Sequence, residues 1–132
     1  MEQRKVNPWR WQDQYGFSQG IEVTGGARVL YCAGQTSSGA DGETLHGDDM
    51  GAQCRQAFEN LETVLEQSGM TLANVVRLNY YVTDVDRFFA DGAPVVGERV
   101  GGAGIQPAGT LLGVSRLAFP DLLIEIEATA VA

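Results

Sequence analysis

An α+β fold with the order β-β-α-β-α-β-β follows from three features of this 132-residue chain. Near the end, Leu122, Ile124, Ile126, Ala128 and Ala130 alternate with Leu123, Glu125, Glu127 and Thr129, the period of a strand with one face on a core. In the middle, Cys54, Ala57, Phe58, Leu61, Val64 and Leu65 recur at helical spacing and make one apolar stripe. Strand-like runs bounded by glycine lie on both sides of that helix. Together these predict one mixed sheet with two helices packed on one face, in a single domain over residues 1–132. The opposite sheet face is then uncovered, and an uncovered apolar face predicts a partner surface.

In chain order, residues 1–14 are polar and aromatic and read as an extended lead-in whose Trp9 and Trp11 pack on the body or on a neighbouring chain. Runs 17–24 and 28–33 flank Gly25-Gly26-Ala27, the turn chemistry of a tight β-hairpin. The second run, apolar on both faces, ends at Gly34-Gln35, where a glycine lets the backbone approach a ligand closely. Residues 36–47 are rich in Gly, Ser and Asp and read as a loop closed by His46. A helix is expected over 49–68, capped by Asp48 or Asp49 and stopped by Gly69. A strand follows at 75–83, with Val76, Leu78, Tyr80 and Val82 on one face and Arg77, Asn79 and Tyr81 on the other. Pro94 divides the next segment into a short turn at 85–90 and a helix opened by Asp91 and Pro94. Gly101–Gly104 links it to two closing strands, 109–115 and 122–130, separated by a turn at Pro120-Asp121.

Nine basic against seventeen acidic residues give a net charge of −8, which counts against a nucleic-acid surface. No apolar run has the length to cross a bilayer, and the N-terminal residues lack the apolar core of a secretory signal. A cytoplasmic location is therefore expected, with Cys32 and Cys54 as free thiols. No metal-ligand spacing occurs, and the single histidine, His46, gives no histidine pair for nuclease chemistry. Cys54 lies on the helix stripe as a small core residue, and Cys32 lies two residues before Gly34. What remains is carboxylates, tyrosines, backbone amides and a few arginines. Such a set can position water and donate hydrogen bonds, enough to hydrolyse an already activated C=N bond without a cofactor.

Several segments together resemble one family. They are Gly16-Phe17-Ser18-Gln19-Gly20, Ala33-Gly34-Gln35, Val82-Thr83-Asp84, Pro107-Ala108-Gly109-Thr110, the Arg116-Leu117 pair, and the closing Ile124-Glu125-Ile126-Glu127-Ala128. The chain is similar over nearly its whole length to the Rid family, the reactive intermediate deaminases also called YjgF-like or endoribonuclease L-PSP-like. The resemblance implies a chorismate-mutase-like fold, a homotrimer and a small-molecule site at each subunit interface. It also implies hydrolysis of imines or enamines without cofactor or metal. Glu125 matches the family glutamate that holds the attacking water, and its neighbour Glu127 has a structural role or none. The loop at Gly34 would contribute backbone contacts to the substrate, and Thr110 and Leu111 would line the same wall.

Two positions depart from the family pattern. Gly109 stands where deaminating members carry an arginine that clamps the substrate carboxylate through a bidentate pair, and glycine offers no such fork. Phe17 stands where many members have a tyrosine, keeping the ring and losing the hydroxyl. The expected enzyme is thus a deaminase inefficient on 2-iminopropanoate, with Arg116 as a candidate replacement cation. The other expectation is a trimeric ligand-binding or regulatory protein that kept the pocket and lost the chemistry.

Overall fold

A computed structural model describes all 132 residues. Strand β1 (Glu2–Val6) pairs antiparallel with β2 (Gly20–Thr24), making a separate two-stranded ribbon. A short 3-10 turn, Trp11–Tyr15, lies between them. The main sheet holds β3 (Val29–Tyr31), β4 (Gln35–Thr36), β5 (Val75–Val82), β6 (Leu111–Gly113) and β7 (Ile124–Val131). Its order is β3-β7-β5-β6, with β4 also on β7; only β5–β6 is parallel, so the sheet is mixed.

Helix α1 (Met50–Gln67) begins where the Asp49 carboxylate accepts the Ala52 N–H at 3.0 Å. It ends before Gly69, whose φ of +70° is the left-handed conformation a glycine adopts freely. Its buried stripe of Cys54, Ala57, Phe58, Leu61 and Leu65 lies on Leu78, Val82, Ile124, Ile126, Ala128 and Ala130 of the sheet. Gln53 falls on the same stripe and is fully buried. It donates to the carbonyls of His46 (3.1 Å) and Asp121 (3.0 Å) and accepts from Leu123 N–H (2.8 Å). One side chain thus joins the loop before α1 to the entry of β7, and both of its polar atoms are bonded.

Pro94 lies in the first turn of a helix, as the sequence predicts, but the residues before it are helical rather than a separate turn. Helix α2 (Val85–Arg87) runs through a π turn at Phe88–Gly92 into α3 (Ala93–Gly102). The Ala93 N–H reaches back five residues to Phe88 O, and this wider turn makes room for a proline in the first turn of α3. A Cβ on Gly92 would lie 2.7 Å from Phe88 and 3.0 Å from Cys54 Sγ, so the turn packs tightly on α1.

Four other expectations need correction. The hairpin across Gly25-Gly26 does not form: β2 pairs with β1, while the N–H groups of Ala27 and Arg28 both bond Ala132 O and direct the chain onto β7. The lead-in is a paired strand plus a turn rather than extended throughout; Trp11 packs edge-on against Tyr15 and Phe17, and Trp9 is 60% exposed in the single chain. The strand expected over 109–115 is only Leu111–Gly113, preceded by an isolated parallel bridge between Ala108 and Arg77. In β5 a bulge between Val75 and Arg77 buries Val75 rather than Val76.

The helix-free face of the sheet is mixed: polar across β5 and most of β7, with Val29, Tyr31 and Leu112 exposed toward its edges. Arg77, Asn79 and Tyr81 of β5 stand opposite Thr129, Glu127 and Glu125 of β7. The helices cover the other side, because Glu125, Glu127 and Thr129 of β7 and Arg77, Asn79 and Tyr81 of β5 carry polar groups.

Candidate functional site

Glu125 stands on β7 between two neighbours, Tyr81 on β5 and Thr36 on β4. Its carboxylate lies directly over Gly34: a Cβ on that glycine would be 2.6 Å from Glu125 Cδ and 2.9 Å from Oε2. Only a residue without a side chain permits this approach. Gly34 is exposed, and Glu125 is half-buried. Glu125 and the Gly34 loop therefore form one continuous patch.

Glu127, two residues on, is tied down. Its Oε1 accepts from Asn79 Nδ2 and from Tyr81 Oη, each at 3.1 Å. The hydrogen bond to Glu127 raises the Tyr81 phenol above its ordinary value, and the charges of Glu127 and Glu125 push the same way. The structural role expected for Glu127 thus has a geometry, whereas neither donor is directed at Glu125.

Asn79 continues this chain: its Oδ1 accepts the Thr110 N–H at 3.1 Å. Around it the backbone makes a parallel ladder in which Leu78 N–H bonds Ala108 O and Tyr80 N–H bonds Thr110 O, each at 2.8 Å. Gly109 lies between these two bonds, pressed against β5. A Cβ there would be 1.9 Å from Leu78 O, so no side chain fits without moving backbone. Thr110 is exposed beside it, and Leu111 is half-buried against Tyr80.

Phe17 is brought to the same end of the chain by Gln106 and Ser18. Gln106 Nε2 donates to Phe17 O at 2.6 Å and to Asp13 Oδ1 at 2.8 Å, and Ser18 N–H bonds Pro107 O at 3.1 Å. The Phe17 ring stands edge-on to Trp11, with centroids 5.6 Å apart. Asp13 is held below the ordinary carboxylate range by the Gln106 amide and then by Arg10.

The expected residues thus divide into two groups within one chain. Glu125 and Gly34 form one, and Phe17, Gly109 and Thr110 form the other, with the Tyr81–Glu127–Asn79 hydrogen bonds running between. Arg116 joins neither. It lies in the loop after β6 and donates to the carbonyls of Leu117 and Ala118 beside it, at 3.2 and 3.4 Å. His46 is exposed, with φ +57°, and serves through its backbone carbonyl. Burial raises the Cys32 thiol and pushes Cys54 up to about 12, so neither is a ready nucleophile. Asn79, Tyr81, Gln53 and Gln106 were missed by sequence reasoning. A glutamine on an apolar helix stripe is a legible signal for Gln53, and the polar alternation of 77, 79 and 81 is one for Asn79 and Tyr81; Gln106 carries none.

A five-stranded mixed sheet with helices on its apolar face and a glutamate against a glycine loop on its polar side defines a small α+β protein of the chorismate-mutase-like kind. The family model described as Endoribonuclease L-PSP matches residues 11–132, and the chain belongs to that family. A RutC family protein of Pyrococcus horikoshii is 36% identical over 115 residues, covering 86% of this chain and 85% of that one. A 2-iminobutanoate/2-iminopropanoate deaminase of Salmonella typhimurium is 32% identical over 84 residues, 64% of this chain and 65% of that one. Among solved structures, a Rid-family protein of Yersinia pestis is 39% identical with a TM-score of 0.89, and all of each chain is covered. A YjgF-family protein of Mycobacterium tuberculosis is 32% identical with a TM-score of 0.66, over 99% of this chain and all of the other.

Proposed function

We propose that this protein hydrolyses reactive imines, or the enamines in equilibrium with them, as a cytoplasmic, cofactor-independent homotrimer with its sites between subunits. The observation that carries this reading is the contact of Glu125 with Gly34, which places a carboxylate beside exposed loop backbone. Water adds across C=N: its oxygen bonds carbon, Glu125 takes its proton, and the nitrogen is protonated. The carbinolamine then loses ammonia as its C–N bond breaks and C=O forms. Backbone N–H groups near Gly34 polarise the electrophile. Two half-sites within one chain suit a site completed by a neighbour's half, and the deaminase activity named for the Salmonella relative agrees in class. The acidic surface supports a small-molecule substrate over RNA.

The packing of Gly109 against Leu78 O supports a substrate other than small anionic imino acids, since this position cannot supply a cation. The same observation favours a second reading, a ligand-binding trimer without turnover. The two are separated by generating imines in situ with an amino-acid oxidase, trapping them with semicarbazide, and comparing wild type with Glu125→Ala over an amino-acid panel. Loss of trapped product with wild type and not with Glu125→Ala supports the hydrolase. A wild type inert on every imine, neutral ones included, sinks it.

A further inference from the structure

The ribbon and the main sheet each present an unpaired strand edge. In β3, Arg28 and Cys32 donate their N–H groups to Ala132 O and Ala128 O of β7, at 2.9 Å each. Antiparallel pairing alternates, so the N–H and C=O groups of Val29 and Tyr31 point away from β7. Nothing pairs with that side, and the two side chains are exposed at 51% and 81%. In the ribbon, β2 is bonded to β1 on one side only. A two-stranded ribbon is marginal by itself, and a groove of about 220 Å³ bordered by Ile21, Val75 and Ile105 lies beneath this one.

We propose that the free edge of β2 in one copy pairs with the free edge of β3 in a second copy, so that each ribbon extends its neighbour's sheet. The chain's own β2 cannot occupy that edge while its root is anchored. Tyr31, Thr129, Arg77 and Ala108 lie in register on successive strands. A strand added outside β3 is therefore four steps from Ala108, about 19 Å at strand spacing. A hairpin through Gly25-Gly26 would put Gly20 there, and Ser18, two residues away, reaches back at most ~7 Å. Yet Ser18 N–H is bonded to Pro107 O at 3.1 Å, and its Oγ to Gln106 O at 2.5 Å. The anchored ribbon and the intrachain hairpin exclude each other, which leaves the β3 edge to another copy. Because β2 and β3 are different surfaces, the contact is head-to-tail, and in the homotrimer proposed above it closes as a ring.

This inference does not depend on the imine reading. It is tested with the double variant Glu22→Cys/Val29→Cys, both exposed positions, treated with a short bis-maleimide; native Cys32 and Cys54 are buried. Bands at two and three times the 14.2 kDa chain mass on denaturing gels are expected. A link within one chain, or no link at all, overturns the proposal. Tyr31→Pro removes one outward N–H and leaves the β7 ladder intact. In that background the intermolecular bands should vanish while the far-UV circular dichroism is unchanged; persistence of the bands overturns the proposal. Should the proline variant not fold, Tyr31→Lys places a charge on the same edge and is read the same way.

Discussion

Gly109 and Leu78 are in backbone contact: the space a Cβ would need at Gly109 is taken by the Leu78 carbonyl oxygen, 1.9 Å away. Glycine here is a packing requirement of the β5 ladder as well as the absence of a cation. Gly109→Ala should cost roughly 1–3 kcal/mol or more, as overpacking against rigid backbone does. Urea unfolding checks it. Gly109→Arg should be at least as costly, so a stable arginine variant that gains activity on small imino acids would show that this ladder opens easily.

Gly34 offers the contrasting case. A Cβ there meets the end of the Glu125 side chain, 2.6 Å from Cδ, and that side chain can rotate away. Gly34→Ala should change stability by less than about 1 kcal/mol, since only a flexible carboxylate must move. Turnover should fall about 100-fold, the contribution of a positioned base. The fall should appear in kcat more than in KM.

Asn79 bonds both Glu127 and the Thr110 N–H. Asn79→Ala leaves a backbone donor and a carboxylate short of partners, at a cost of about 1–3 kcal/mol. Hydrogen exchange should show the Thr110 amide losing protection first. Unchanged exchange there would mean that the ladder around Gly109 holds without this side chain.

Tyr80 and Tyr81 should titrate late in the native protein, Tyr80 because its packed surroundings desolvate it and Tyr81 because it donates to Glu127. A phenol whose native pKa is raised stabilises the fold below its unfolded pKa, near 10, and that stability is lost as pH rises through the raised native value. Ultraviolet difference titration checks the order. Glu127→Gln should bring Tyr81 back toward the ordinary range and leave Tyr80 where it is.

Cys32 and Cys54 are both buried, and burial raises both thiols. A disulfide reagent at neutral pH should react slowly with the native chain and rapidly in denaturant. Cys54, wedged beside Gly92 with its pKa pushed up to about 12, should be the slower.

The parts of the fold legible in the sequence are those set by local period. The alternation in 122–130 locates β7 and puts Glu125 and Glu127 on its polar side; the stripe from Cys54 to Leu65 locates α1. What escapes is decided by partners distant in sequence. Gly25-Gly26 is competent for a hairpin, but the Ser18–Pro107 and Ala27–Ala132 bonds route the strands apart, and no local pattern encodes them. Glycine at 109 can be read from the chain, but not the Leu78 carbonyl that demands it. The polarity of the open sheet face was visible in Arg77, Asn79 and Tyr81, yet which side the helices cover needs their packing.

Strand β7 pairs with β3, β4 and β5, and all three precede it in the chain. During synthesis those strands must wait, unpaired on the sides it will fill, until residues 124–131 have been made. Folding is then governed by contacts between segments about a hundred residues apart, such as Val29 with Val131, the kind of topology that folds slowly. A nonsense change ahead of Ile124 would leave a chain with its apolar strands exposed, a substrate for proteolysis rather than a partly working protein.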